Sequence, residues 1–181
     1  MKPDPDVYLT TIGGVAHGLR ALGLTPVLVG GMALTVLGST RVTRDVDFVV
    51  RRPEDRLEGV LELFYERGFE LVSKVDDAGN VVSTVGNRRV AAIRLTLDGP
   101  ASAGFYNSET GFRIDLLFDF PLEAATLARR ATRMKIQSHV FDIASAADLL
   151  TLKKIAAAAR SFPGDAQDIA FLEAHLARER S

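Results

Sequence analysis

The segment from Val27 to Val50 constrains this chain more than any other. A short β-branched apolar run, Val27 to Val29, stops at the pair Gly30 and Gly31, a short helix carries Met32 to Leu37, and a second apolar run, Val46 to Val50, is entered through Asp45 and Asp47. Two glycines at a strand-to-helix turn let backbone N–H groups approach an anion, with the positive end of the helix dipole behind them. Asp45 and Asp47 are two apart at the mouth of a strand, so both carboxylates leave one face while Val46 and Phe48 leave the other. Such a pair repels. Unless one acid takes up a proton, a hard divalent cation with oxygen ligands is the usual remedy. The third glycine of a Gly-x-Gly-x-x-Gly fingerprint is missing, so a dinucleotide-binding turn is excluded.

A third acid comes from Arg113-Ile-Asp115-Leu-Leu-Phe-Asp119. Asp115 lies inside an apolar run, where an acid is expensive without a partner. Asp119 has the same strand parity but sits at the end of the run, where an ordinary loop acid is expected. Three acids around two divalent ions suit in-line attack on a phosphoryl group.

Around this segment the periodicity predicts a helix from Asp6 to Leu22, and another starting at Pro53 with Leu57, Val60, Leu61 and Phe64 on one face up to Gly68. Phe69 to Val72, Val81 to Val85 and Val90 to Leu97 read as strands, the last two joined by a turn at Gly86 to Arg89. Gly99 to Gly111 reads as a loop in which Phe105 and Tyr106 serve as anchors, or alternatively stack on a base. Phe112 to Phe118 is a further strand. From Leu122 the chain reads as mainly helical with a break at Gln137 to Ile143, a helix start signal at Ser145 and Asp148, and a separator at Ser161 to Gly164. The fold class is thus α/β (α+β), a small mixed sheet flanked by helices. Residues 1–121 form the expected core and 122–181 a C-terminal helical portion packed on it.

Composition narrows the chemistry. The absence of cysteine excludes disulfide scaffolds, thiol catalysis and iron–sulfur clusters. His17, His139 and His175 have no metal-ligand spacing. With 22 basic and 23 acidic residues the net charge is −1. Within it, Arg129, Arg130, Arg133, Lys135, Lys153, Lys154 and Arg160 stand against only Asp142 and Asp148 between Thr126 and Arg160, a patch suited to an anionic partner or to two solvated helix faces. No apolar run reaches membrane-spanning length, and Met1 to Asp6 does not resemble a signal peptide, so a cytoplasmic location is expected.

Val29, Gly30, Gly31, a spacer, then Asp45-Val46-Asp47 together resemble the signature of the nucleotidyltransferase superfamily related to DNA polymerase beta. Arg41, Thr43, the Asp pair and the later run Asp148-Leu-Leu-Thr-Leu-Lys153, Arg160, Asp165, Asp168-Ile169 resemble more closely the nucleotidyltransferase-like toxins of abortive-infection toxin–antitoxin systems. Where those proteins commonly carry a charged run, this chain has Ser161-Phe-Pro-Gly164. The resemblance implies transfer of a nucleoside monophosphate from a nucleoside triphosphate to a hydroxyl, with release of pyrophosphate. It implies Mg²⁺ or Mn²⁺, two ions, on Asp45, Asp47 and Asp115, with Asp115 activating the acceptor. It further implies nucleotide contacts from Gly30, Gly31, Arg44 and Lys153, support from Asp168, an RNA or tRNA acceptor, and an antitoxin as protein partner. The alternatives are a non-catalytic nucleotide- or RNA-binding protein of the same fold, and a small-molecule nucleotidyltransferase with an aminoglycoside-like acceptor.

Overall fold

In the computed structural model, which describes residues 5–41, 43 and 45–181, one mixed sheet organises the chain. It has eight strands: β1 (Val27–Val29), β2 (Asp45–Val50), β3 (Glu70–Val75), β4 (Val81–Val85), β5 (Ser102–Asn107), β6 (Phe112–Phe118), β7 (Thr132–Ile136) and β8 (His139–Ile143). Their order across the sheet is β4-β3-β5-β6-β2-β1-β8-β7. Strands β2 and β6 run parallel, as do β1 and β8, and the other pairings are antiparallel. Seven α-helices flank it among the described residues: α1 (Pro5–Ala21), α2 (Gly30–Val36), α3 (Leu57–Tyr65), α4 (Arg88–Asp98), α5 (Ala124–Arg130), α6 (Ala146–Ala159) and α7 (Pro163–Glu179). None of the described helices is long and apolar enough to cross a membrane.

Alternation does what the sequence promises in the two central strands. Val46, Phe48 and Val50 of β2 and Ile114, Leu116 and Phe118 of β6 are buried, while Asp47, Arg113 and Asp115 lie on the half-buried face. Phe105 stacks on Phe64 with ring centroids 3.9 Å apart, and Phe69 meets Phe64 edge-on at 5.9 Å, which ties α3 to the sheet.

Two expectations fail and a third holds only in part, each for a local reason. Residues 90–97 form not a strand but most of helix α4, and the expected turn at 86–89 is its entrance: the Asn87 side chain accepts hydrogen bonds from the N–H groups of Arg89 and Val90. The expected loop at 99–111 contains β5, whose Ala103, Phe105 and Asn107 are buried in alternation, so Phe105 is a core residue closed to any base. Residues after 122 are mainly helical as expected, in α5, α6 and α7, but the break is wider than residues 137–143: β7 and β8 form a hairpin whose inner strand extends the sheet beside β1.

The expected helix start at Ser145 is present. Ser145 Oγ accepts from the N–H of Asp148 at 3.1 Å and donates to Asp148 Oδ2 at 2.8 Å, and Arg130 Nε holds the same carboxylate oxygen at 2.9 Å. Ser145→Ala removes the cap and should cost about 1 kcal/mol, measured as a shift in the urea midpoint at unchanged slope.

Candidate active site

Register brings the acids together. In the parallel pairing of β2 with β6, Asp47 stands opposite Asp115 and Asp45 opposite Arg113, so these four side chains share one face on adjacent strands. Asp115 in turn stands opposite Gly104 of β5. A Cβ at Gly104 would come within 2.7 Å of Asp115 Oδ1, so the glycine leaves that carboxylate its room. On the other side, Val29 of β1 pairs with Asp47, and the chain then turns at Gly30 with φ +68°. A Cβ at Gly30 would lie 2.1 Å from Asp47 Oδ2. Both the positive φ and this contact require glycine, a stronger demand than a tight turn alone. Gly31 is buried and packs on Thr43, and the first turn of α2 receives no side-chain cap.

The electrostatics follow from crowding three acids in a half-buried place. Burial, then the charges of Asp115 and Asp45, push the Asp47 carboxyl up to about 7 against the opposing pull of Lys153 and Arg113. Burial likewise holds Asp115 above the usual carboxylate range despite Arg113, whose Nε sits 3.0 Å from Asp115 Oδ1. Arg113 also donates through Nη1 to the carbonyl of Gly79 at 3.3 Å, in the turn between β3 and β4. Asp45 is exposed at the strand mouth.

Lys153 of α6, whose charge acts on Asp47, is buried between two acids near the start of α7. Its Nζ lies 2.7 Å from Asp168 Oδ2 and 3.5 Å from Asp165 Oδ1. Arg41, between α2 and β2, pairs with Asp168, while Arg160 Nε bonds Asp165 Oδ2 at 3.1 Å. The guanidinium carbons of Arg41 and Arg160 each lie 5.5 Å from the Phe162 ring. The uncharged Ser-Phe-Pro-Gly segment thus offers a platform for two arginines. Burial raises Asp165, but Arg160 and Lys153 outweigh it and leave the carboxyl below its ordinary value.

Of the residues singled out by sequence, Asp45, Asp47, Asp115, Gly30 and Gly31 converge, and Lys153 acts on Asp47 through space while being ion-paired with Asp168. Arg44 lies outside the described residues. Asp119 belongs elsewhere: with φ +51° it accepts from the N–H groups of Ala124 and Arg52, capping the entry to α5. Sequence reasoning missed two contributors. Arg113 was legible in principle, since it shares strand parity with Asp115. Tyr8 of α1 was not, because only tertiary packing brings it near; burial and the charges of Asp45 and Asp47 push its phenol up to about 12, and its ring meets Phe112 edge-on at 4.9 Å.

Among the described residues no three acidic or imidazole groups already stand close enough together to hold a metal ion. The donor set nevertheless fits a hard divalent cation. Three carboxylates on two adjacent strands supply oxygen ligands, and burial together with the charges of Asp115 and Asp45 leaves Asp47 holding its proton up to about 7, a strain that a bound cation would relieve.

No family model and no curated protein matches this sequence. Solved structures do match. The fold is similar to a nucleotidyltransferase-like protein from Paracoccidioides brasiliensis, at 17% identity over 93% of this chain and 76% of that one, with a TM-score of 0.59. It is similar to the antibiotic-resistance factor ANT(2'')-Ia at 13% identity, covering 99% of this chain and 88% of that one, TM-score 0.61. A lincosamide antibiotic adenylyltransferase, LnuA, matches at 12% identity over 91% of this chain and 95% of that one, TM-score 0.57. At such identities the common ground is the backbone, and it is consistent across all three: this chain has the nucleotidyltransferase fold.

Proposed function

We propose that the protein transfers a nucleoside monophosphate from a nucleoside triphosphate to the hydroxyl of a small acceptor. The observation that carries this reading is the in-register pair of Asp47 and Asp115 beside the glycine turn at Gly30, with Asp45 at the mouth. Asp45, Asp47 and Asp115 would hold Mg²⁺ or Mn²⁺, which when bound supplies charge neutralisation for the triphosphate and eases ionisation of the attacking hydroxyl. Asp115, in register with Asp47 on the adjacent strand, would accept the hydroxyl proton. The freed oxygen attacks the α-phosphorus, the bond to the β-phosphate breaks, and pyrophosphate leaves. Backbone N–H groups at Gly30 and Gly31 would orient the triphosphate. Lys153, released in part from Asp168, would meet its outer phosphates, and Arg41 would keep Asp168 paired when it does.

Charge pairing favours a small acceptor over RNA. Of the seven cations in the basic patch, Arg130, Arg133, Lys153, Lys154 and Arg160 are engaged by Asp148, Asp142, Asp165 with Asp168, Glu173 and Asp165 respectively. That leaves Arg129 and Lys135, too little for a polyanion track. The solved relatives point the same way, since one is bound to lincomycin and another to adenylyl-2''-tobramycin.

The test is incubation of the purified protein and Mg²⁺ with each labelled nucleoside triphosphate, against aminoglycosides, lincosamides and total RNA in parallel. Labelled small-molecule product with matching pyrophosphate is the expected result. Labelled RNA, with activity falling steeply as salt rises, would transfer the assignment to an RNA acceptor. Nucleotide binding without pyrophosphate in any arm would leave a non-catalytic binder.

A further inference from the structure

Helix α4 wears its apolar side chains on two faces. Ala91, Ala92 and Leu95 are buried against the body of the protein. Val90, Ile93 and Leu97 are 42%, 57% and 78% exposed. At about 100° per residue these three fall within a sector of roughly 60°, so they form one stripe along the outside of the helix. Single exposed apolar residues are ordinary, but an aligned row of three is the pattern of a helix that packs on something.

The charges beside the stripe indicate what that is. Arg94 and Asp98 follow one another at i and i+4 on the same flank, and neither forms an ion pair among the described residues. A two-fold axis near Leu95, crossing two antiparallel copies of α4, would set Ile93 against Leu97 of the second copy and Leu97 against its Ile93. The same operation brings Arg94 to within about two residues' rise, roughly 3 Å along the axis, of Asp98 of that copy, and the reverse. One symmetry operation therefore pairs two of the three apolar side chains of the row and both unpaired charges.

The nearest sheet edge supports the same occupant. Strand β4, which leads directly into α4, ends the sheet, and its Val-Val-Ser-Thr-Val carries no charge, with Val82 55% exposed. The opposite terminal strand, β7, carries Arg133 and Lys135, the usual protection of a free edge. An unguarded edge beside an apolar stripe suits coverage by protein.

We infer that α4, with the adjoining β4 edge, is a self-association surface through which two copies of this chain form a two-fold dimer. Three side chains and a short edge make a small interface, so the dimer exchanges with monomer and its population follows concentration. This inference does not depend on the proposed activity.

Sedimentation velocity on the full chain over a roughly hundredfold concentration range should show monomer passing to dimer. Leu97→Glu should hold the protein monomeric throughout, with an unchanged far-UV circular dichroism spectrum, since the residue is exposed. Arg94→Asp alone, which sets acid against acid across the axis, should weaken dimerisation at least about tenfold, and the double exchange Arg94→Asp with Asp98→Arg should restore it. A monomer at every concentration, or a dimer indifferent to Leu97→Glu, would overturn the inference, as would failure of the double exchange to restore what the single change lost.

Discussion

Asp47→Asn should lower nucleotidyl transfer by about a thousandfold or more while leaving the protein folded, because it removes a ligand charge and keeps the side-chain volume. A factor of a thousand corresponds to about 4 kcal/mol of transition-state stabilisation, within the range a bound metal supplies. The same substitution has an opposite effect on stability. The Asp47 carboxyl is pushed up to about 7 in the folded protein from 3.8. Between those values the native state binds more protons than the unfolded state, so metal-free stability falls as pH rises from about 4 through about 7 and is flat above. The loss is a few kcal/mol at most. Thermal melts in a chelator should show a larger fall for the parent than for Asp47→Asn, in which the raised Asp115 still titrates, and the variant should be the more stable of the two at pH 8. Parent and variant melting alike across that window, with transfer intact, would remove Asp47 from the site.

Lys153→Ala carries the largest expected effect on stability. Its ammonium sits between Asp165 and Asp168, both about 98% or more buried, and among the described residues removing it leaves Asp168 paired with Arg41 and Asp165 with Arg160. Breaking a buried ionic cluster from one side costs about 3–5 kcal/mol. Lys154→Ala, one step along the helix, breaks an exposed pair with Glu173 and should cost under about 1 kcal/mol. Equal shifts in denaturant midpoint for the two variants would contradict this division. Any loss of nucleotide affinity in Lys153→Ala must then be read beside its folding, and Lys153→Arg, which keeps the charge, separates the two.

The parts of the chain that sequence reasoning placed well are those whose burial is one-sided. Strands β2 and β6 and helices α1 and α3 each present an apolar face, β1 is read from an unbroken apolar run that is buried throughout, and the acids stand out as interruptions of an otherwise apolar period. Helix α4 defeated that logic because its exposed Val90, Ile93 and Leu97 fill the gaps between the buried Ala91, Ala92 and Leu95. The sum no longer has a helical period. Strand β5 hid for the reverse reason: its glycine, serine and asparagine are loop residues by propensity, and they lie in a strand because Gly104 must leave space for Asp115 and Asn107 must hold the turn that follows, accepting from Glu109 and Thr110. The contact of Lys153 with Asp168 joins two helices at a distance no local pattern encodes.

The placement of the acids on two neighbouring central strands has a consequence for how the site keeps its dimensions. Asp47 and Asp115 are carried by backbones laddered on both sides, β2 between β1 and β6, and β6 between β2 and β5. Their backbone separation is therefore the sheet's own strand spacing, about 4.8 Å, a length that no loop has to maintain. Central strands are also the last to open in native fluctuations. Changes at the periphery, in the β3–β4 turn or the β7–β8 hairpin, can loosen the protein at large while this internal gauge between the two carboxylates keeps its calibration until global unfolding.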